Sequence, residues 1–314
     1  MDTALITLPC LLVGGTEVQT LRLVEALVEG GYRVVVVCYF EHNAEVVTWY
    51  QKAGAEVELL SPDGSRPAGV RAQFFFLMKG LRRVVRKHKP DVAHVQYMAP
   101  GALPIVALRL AGVRTILATT HTMADIYGST RLVRWLQKHL LRAFTCITLT
   151  AEESFFGSSR LYDGGPLQRR NHFTIYNCIK GPKVPKDIKD PKDIKDLRIG
   201  FVSRLESIKG ADLVLPAFAE LRKQCPTATL TVVGDGKLKA AMLRQQQAMA
   251  PDGVRFLPRQ PFQSLPAIYR ELDILWMPSR SEGFGLTAIE AIAEGCQVVA
   301  PRTGGLPEIL RNDR

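Results

Sequence analysis

Residues 33–40 read RVVVVCYF, an uninterrupted apolar run that limits how the chain can fold more than any other feature. A strand with one face in water alternates apolar and polar residues, whereas a strand covered by helices on both faces is apolar throughout. The run follows a short strand pattern at residues 2–9 and a helical pattern at residues 21–28. This order predicts a βαβ unit, and therefore a parallel α/β sheet.

The same alternation continues in two series along the chain. In the first series, further strand patterns occur at residues 55–60, 92–96, 115–119 and 146–149. The helical patterns between them lie at residues 44–53, 70–88, 104–110 and 132–143. The second series has strand patterns at 197–203, 229–233, 254–257 and 274–277, with helical patterns at 211–223, before 247, and at 265–270. Two doubly wound, Rossmann-like α/β domains are therefore predicted, with ligands at the carboxyl ends of their strands.

A charged tract at residues 180–196 separates the two series. It contains the sequence PKDIKD twice in tandem, three prolines and almost no apolar residues. Such a composition predicts an exposed linker or a charged insertion. We therefore predict an N-terminal domain at residues 1–179 and a C-terminal domain at residues 197–314, with a cleft between their facing strand ends.

The cysteines and the apolar runs indicate the compartment and argue against a structural metal site and a transmembrane helix. The six cysteines are scattered, with no Cys-x-x-Cys and no histidine cluster beside them, so we expect a reducing compartment and no structural metal site. No apolar run reaches the length of a transmembrane helix, and residues 1–9 predict a first strand where a secretory signal would stand. We expect a cytoplasmic protein, and peripheral association with the inner face of a membrane stays open.

The positive charge is concentrated in residues 71–142, where thirteen Lys or Arg residues face two Asp residues. A basic surface of this kind suits nucleic acid, an anionic membrane or a phosphorylated ligand. It also occurs as an ordinary solvated surface. Nucleic acid is the least favoured partner, because the region carries no recognition motif and its aromatic residues are not interleaved with the charges.

Residues 277–308 carry the densest group of candidate site residues. The pattern is loop, helix, strand and then a Gly-Gly turn into a second helix, with Gly283 and Gly285 where the first helix begins. Glycines at a helix entrance allow a ligand close to the backbone, whose unpaired N–H groups favour anionic or hydroxyl-rich ligands. Glu282 precedes the helix and Glu290 lies about one turn inside it. The alternative is a surface helix with solvated carboxylates.

Three further features follow predicted strands. The Gly14-Gly15 turn is either a contact for phosphate or sugar or simply a tight turn. Arg204 and Lys209 could together neutralise a diphosphate, or form a solvated basic pair. His121, at a strand end among threonines, is either functional or structural. Gly-x-Gly-x-x-Gly, Gly-x-Ser-x-Gly and Asp-x-Asp are absent, which disfavours a nicotinamide enzyme, a serine nucleophile and a metal-held diphosphate.

Taken together, seven short motifs resemble one known family over nearly the whole chain. They are GGTE at 14–17, TTHT at 119–122, YNCI at 176–179, RLESIKG at 204–210, GDG at 234–236, SEGFGLTAIEA at 281–291 and GGLPE at 304–308. Their order and spacing are similar to those of the retaining glycosyltransferases of family 4, which have the GT-B architecture. The resemblance implies a nucleotide-diphospho-sugar as donor substrate, no metal cofactor, and a polysaccharide or lipid-linked acceptor in cell-envelope synthesis.

The resemblance also implies a role for each candidate residue. It assigns Arg204 and Lys209 to the diphosphate and Gly15 to a place beside the phosphates. Glu290 would contact the ribose, and Arg259 would border the base. The sugar would be contacted by Glu282, His121 and the Phe284–Gly285–Leu286 main chain. His121, Arg204, Lys209 and Glu282 form the catalytic set. Transfer would retain configuration by front-face attack, with the leaving diphosphate accepting the acceptor's proton.

Two departures from the family pattern accompany this resemblance. Asn177-Cys178 stands where family members carry Asn-Gly, and the sequence ends soon after GGLPE, where they continue with another strand and further helices. We therefore expect an incomplete second domain. A sugar-nucleotide epimerase and a non-catalytic nucleotide-sugar binder remain the alternative functions.

Overall fold

The computed structural model describes residues 1–97, 102–126, 129–166, 171–179, 196–249 and 253–310. The chain divides into two compact units, Met1–Asn177 and Cys178–Arg314, and each unit is described by itself. The predicted linker at residues 180–196 lies outside the described residues except for Asp196.

In the first unit, the described residues form one sheet of seven parallel strands. Its strands are β1 (Thr3–Leu8), β2 (Arg33–Cys38), β3 (Glu56–Leu59), β4 (Val92–Gln96), β5 (Thr115–Thr120), β6 (Ala143–Cys146) and β7 (His172–Thr174). The order β3-β2-β1-β4-β5-β6-β7 reverses direction at β1, so the sheet is doubly wound. The described residues of this unit also form helices α1 (Gly15–Glu29), α2 (Ala44–Lys52), α3 (Val70–His88), α4 (Leu103–Leu110), α5 (Thr130–His139) and α6 (Leu149–Phe156).

The apolar runs form the centre of this sheet, as predicted. Every residue of β1 is buried, and in β2 only Arg33 at its start is not fully buried. The two strands pair in parallel, with Leu5 opposite Val35. On α3, Leu77, Leu81 and Val84 recur at helical spacing and are buried, which leaves the basic residues of that helix outside.

The predicted boundaries fail between residues 132 and 149. The predicted helix at 132–143 is α5, which ends at His139, and the predicted strand at 146–149 is wrong because β6 ends at Cys146. The side chain of Thr148 accepts a hydrogen bond from the main-chain N–H of Ala151 and so begins helix α6 at Leu149. An apolar pattern alone does not show this cap, which requires threonine to be recognised as a helix start.

The second unit repeats the arrangement on a smaller scale. Its described strands are β8 (Arg198–Val202), β9 (Thr229–Val233), β10 (Val254–Leu257), β11 (Ile274–Trp276) and β12 (Gln297–Val299), all parallel in the order β10-β9-β8-β11-β12. Its described helices are α7 (Ala211–Gln224), α8 (Lys239–Met249), α9 (Leu265–Glu271), α10 (Leu286–Ala293) and α11 (Leu306–Ile309). Both units confirm the predicted doubly wound parallel sheets, and α10, β12 and α11 confirm the predicted order within residues 277–308. Within the described ranges, no helix is long and apolar enough to cross a membrane.

Candidate functional site

The candidate residues lie in the loops and helix starts that follow strands of the sheet in their own unit, except Glu290, which lies about one turn inside α10. In the second unit, Arg204 follows β8, Arg259 follows β10 and Glu282 follows β11. In the first unit, Gly15 begins the helix after β1, and His121 directly follows β5. Strands of a parallel sheet all end at one edge, which is where doubly wound folds bind ligands.

Lys209 and Glu282 form an ion pair at this edge of the second unit. The Lys209 Nζ atom donates to Glu282 Oε2 at 2.6 Å, and the two side chains are only 18% and 13% exposed. Lys209 ends a short 3₁₀ turn at Ser207–Lys209, and Glu282 lies in the loop after β11. The structure thus brings together a cation able to neutralise phosphate and a carboxylate able to accept hydrogen bonds from hydroxyl groups.

Arg204 occupies a different environment from Lys209. Its Nη1 atom donates to Glu206 Oε2 at 3.0 Å, and its side chain is 65% exposed. Ion pairs this exposed contribute little free energy and exchange partners easily. The guanidinium is therefore able to leave Glu206 for a diphosphate at little cost.

The entrance of α10 carries two of the residues predicted to contact the donor, Gly285 and Glu290. Gly285 precedes the helix with φ of 98°, a left-handed conformation that glycine adopts without strain. Within α10, Glu290 accepts a hydrogen bond from the Tyr269 hydroxyl at 3.2 Å. Burial, together with the charge of Glu290, raises the pKa of Tyr269 well above its usual value, so this hydroxyl remains a donor at neutral pH. Tyr269 therefore orients one oxygen of the carboxylate predicted to hold the ribose.

His121 belongs to a buried hydrogen-bonded chain that spans three strands. Its Nε2 atom lies 2.9 Å from Gln96 Oε1, and Gln96 Nε2 lies 3.1 Å from His94 Nε2. The chain continues from His94 Nε2 to the Thr119 hydroxyl at 2.7 Å and on to the Thr145 hydroxyl at 2.6 Å. The amide oxygen of Gln96 only accepts, so Nε2 of a neutral His121 carries the proton and Nδ1 is its acceptor nitrogen.

Burial keeps both histidines of this chain uncharged. It lowers the pKa of His94 to about 4, and burial together with the neighbouring His94 lowers the pKa of His121 to about 3. At neutral pH, His121 is therefore a hydrogen-bonding group and not a cation. That state suits a contact with a sugar hydroxyl better than one with a phosphate.

The turn before α1 contains a buried carboxylate beside the predicted Gly15 contact. Glu17 lies in the first turn of α1 and is 9% exposed, and its Oε1 atom accepts from the Cys10 thiol at 3.4 Å. Burial raises the pKa of Glu17. Burial, reinforced by Glu17, raises the pKa of Cys10 to about 12, so the cysteine is a thiol at neutral pH. The GGTE motif thus places the buried carboxyl group of Glu17 beside the glycine pair.

Several residues of the site were not among the predicted ones. They are His94, Gln96, Tyr269, Arg280 and Asp212. The only signal for these two residues was that they are polar side chains within a predicted strand, with Gln96 at its carboxyl end. No group of three or more metal-ligating side chains is arranged to hold an ion within the part of the chain that the structure describes.

Two family models match the sequence. The model described as Glycosyltransferase Family 4 matches residues 13–154, and the model described as Glycosyl transferases group 1 matches residues 185–314. Each match falls within one of the two compact units. The D-inositol 3-phosphate glycosyltransferase of Corynebacterium jeikeium (strain K411) is 43% identical over 117 residues, which are 35% of this chain and 28% of that protein. The matched segment thus spans little more than a quarter of that curated relative.

Solved structures share the fold at low sequence identity. Anabaena Alr3699/HepE, solved in complex with UDP and glucose, superposes with a TM-score of 0.74 at 19% identity, covering 99% of this chain and 84% of that one. A Listeria monocytogenes protein described provisionally as a UDP-N-acetylglucosamine 2-epimerase superposes with a TM-score of 0.64 at 14% identity, covering 98% and 82%. These likenesses confirm the predicted GT-B fold.

Proposed function

Because the chain belongs to the glycosyltransferases that the two family models describe, we propose that it transfers a sugar from a nucleotide-diphospho-sugar to a polysaccharide or lipid-linked acceptor, with retention of configuration. The observation that carries this proposal is the Lys209–Glu282 ion pair beside the entrance of α10. It joins a group suited to the diphosphate to a group suited to the sugar.

In this reaction, the second unit holds the donor. Lys209 and Arg204 neutralise the diphosphate as its bond to the sugar C1 breaks, and charge stabilised in this way lowers the barrier most when it develops in the transition state. Glu290, oriented by Tyr269, accepts hydrogen bonds from the ribose hydroxyls. The main chain from Phe284 to Leu286 contacts the sugar, and Arg259, exposed after β10, borders the base.

The acceptor oxygen forms its bond to C1 on the face that the diphosphate leaves. The acceptor's proton passes to an oxygen of the departing diphosphate, so the protein does not have to supply a general base. Glu282 then contacts the sugar hydroxyls once a donor draws Lys209 towards the phosphates. His121, as a neutral hydrogen-bonding group, fits a contact with the sugar, and Gly15 fits one with the phosphates.

A thermal-shift screen with UDP-, GDP- and ADP-sugars tests donor binding. We expect one donor class to raise the melting temperature of the wild type. Glu290→Ala removes that shift, because it removes the carboxylate predicted to bind the ribose. The matched control is Glu271→Ala, which removes an exposed carboxylate paired with Arg255 in the same unit and leaves the shift unchanged. An equal shift in Glu290→Ala would contradict the ribose assignment.

Two alternative functions predict different products from the same donor. A sugar-nucleotide epimerase converts the donor alone into an epimer, and the Listeria fold likeness is the reason to assay for it. A non-catalytic binder shows a thermal shift but no release of nucleoside diphosphate. A transfer assay with different acceptors distinguishes these functions from glycosyl transfer. Inositol 3-phosphate is one of the acceptors to test, because the name of the matched Corynebacterium relative contains it.

We also propose that the first unit binds the anionic inner face of a membrane, where a lipid-linked acceptor would lie. The described residues of α3 include no acidic side chain, and its outer face exposes Arg71, Lys79, Arg82 and Arg86. Phe75 on the same face is 70% exposed. Phe75, Lys79, Arg82 and Arg86 border a surface groove of about 1000 Å³. Cationic groups beside an exposed aromatic ring suit anionic headgroups and the interface below them.

Co-sedimentation with vesicles tests the membrane proposal. We expect binding to phosphatidylcholine vesicles that contain phosphatidylglycerol, and weak binding to phosphatidylcholine alone. Arg82→Glu weakens the binding, whereas Lys223→Glu, the same change of charge at an exposed site on α7, does not. Equal binding to both kinds of vesicle, or equal loss in both variants, would remove the proposal.

A further inference from the structure

Arg280 joins the two loops of the second unit that carry Lys209 and Glu282. It lies two residues before Glu282, and its main-chain N–H donates to the Ile208 carbonyl at 2.9 Å. Its Nη1 and Nη2 atoms donate to the two carboxylate oxygens of Asp212 at 2.7 Å each, in the first turn of α7. Nη1 also donates to the Ser207 carbonyl, inside the 3₁₀ turn that ends at Lys209.

The same two loops approach each other closely beside this contact. Gly210, which follows Lys209, has φ of 69°, and a β-carbon added there would overlap the Pro278 carbonyl oxygen. The carbonyl of Arg280 accepts a hydrogen bond from the Thr303 hydroxyl at 3.3 Å. The loop after β11 therefore contacts the turn of Lys209 on one side and Thr303 on the other. Arg280 makes these contacts with both its side chain and its main chain.

The Arg280–Asp212 ion pair is better suited to orienting the two loops than to stabilising the fold. The Arg280 and Asp212 side chains are 43% and 39% exposed, and ion pairs at such exposure contribute little to folding. A guanidinium bound to both oxygens of a carboxylate, however, fixes direction as well as distance. An ammonium group at residue 280 would keep the charge but could not reproduce this fork.

We propose that Arg280 is a positioning residue of the donor site: its contacts with Asp212 and Ser207 hold the turn of Lys209 at hydrogen-bonding distance from the loop of Glu282. This inference rests on the proposed function, because it assigns Arg280 a role through Lys209. Arg280 itself touches neither donor nor acceptor in this arrangement. Its loss displaces Lys209 from the place where the diphosphate is bound.

A double-mutant cycle measured by calorimetry separates positioning from general stability. Wild type, Arg280→Ala, Lys209→Ala and the double variant are each titrated with UDP, GDP and ADP. We expect Arg280→Ala to weaken binding about tenfold when Lys209 is present and by less than about twofold when it is absent, because coupled residues are not additive. Arg280→Lys also weakens binding. Arg255→Ala, which breaks a different exposed ion pair of this unit, that of Arg255 with Glu271, does not.

The outcomes distinguish this inference from the function on which it rests. A wild type that binds none of the three nucleotides overturns the proposed donor site, and the positioning role with it. A wild type that binds while Arg280→Ala binds equally well overturns the positioning role alone. Equal weakening by Arg280→Ala with and without Lys209 also overturns it, because the effect then does not pass through Lys209.

Discussion

At the scale of single residues, Lys209 and Glu282 are 73 positions apart in sequence, and Lys209 Nζ lies 2.6 Å from Glu282 Oε2 in the structure. In the proposed donor site, a diphosphate competes with Glu282 for the ammonium group of Lys209. We predict that Glu282→Gln strengthens binding of the nucleoside diphosphate a few-fold, because it removes that competing charge, and lowers turnover at least about tenfold. Calorimetry and a transfer assay measure the two effects. Weaker nucleotide binding in Glu282→Gln, with Glu271→Gln as the control, would contradict the competition.

The buried histidines make a second prediction at this scale. Their folded-state pKa values lie near 4 and 3, below the ordinary value of 6.5, so the unfolded chain binds more protons than the folded chain between these limits. Stability contributed by the neutral histidines is therefore complete above about pH 6.5 and is lost as pH falls towards 3, by up to about 1.4 kcal/mol per pH unit for each histidine. Urea unfolding at several pH values measures the slope.

A matched variant isolates the histidines from other acid-sensitive groups. His94→Gln keeps a polar side chain at the centre of the hydrogen-bonded chain but does not titrate in this range. Its unfolding free energy should depend less steeply on pH than that of the wild type between pH 6.5 and 4. A wild-type slope in His94→Gln would contradict burial as the cause.

Sequence reasoning identified candidate residues here but not their partners. Glu282, Glu290 and Lys209 stand out because of their types and their places after predicted strands. The contact of Lys209 with Glu282 and that of Glu290 with Tyr269 depend on how loops from different strands converge. Local periodicity carries no information about such convergence, so Tyr269 and Arg280 were invisible to it.

At the scale of elements, the start of α6 shows what a single cap contributes. Thr148 is buried, and its hydroxyl accepts from the Ala151 N–H at 3.1 Å. We predict that Thr148→Ala lowers the free energy of unfolding by about 1 kcal/mol, whereas Thr148→Ser keeps most of it. Thr48→Ala, on the exposed face of α2, is the control and should change stability much less. An equal loss for both alanine variants in urea unfolding would contradict the cap.

The long elements could be predicted from the sequence, whereas two of the short ones, β7 and α6, could not. β2 is a continuous apolar run and α3 repeats its apolar residues over five turns, so periodicity identifies both. β7 has three residues and α6 has eight, which gives too few repeats to fix a period. At these lengths, cap chemistry and pairing with a neighbouring strand decide the structure.

At the scale of the whole molecule, the order of elements already predicted two doubly wound sheets, and the structure confirms both. Arg204, Arg259 and Glu282 follow three different strands of the second sheet, and His121 follows β5 of the first sheet. The matched family models divide the chain in the same way, with one model for each unit.

The most direct test of this account needs no acceptor other than water. The purified chain is incubated with an excess of the α-linked nucleotide-sugar identified in the thermal-shift screen, and the released sugar is followed by proton NMR before its anomers equilibrate. We predict slow release of nucleoside diphosphate together with the α-anomer of the sugar, and loss of both in Glu282→Gln. Release of the β-anomer, conversion of the donor to an epimer, or binding without any release would contradict the proposed retaining glycosyltransferase.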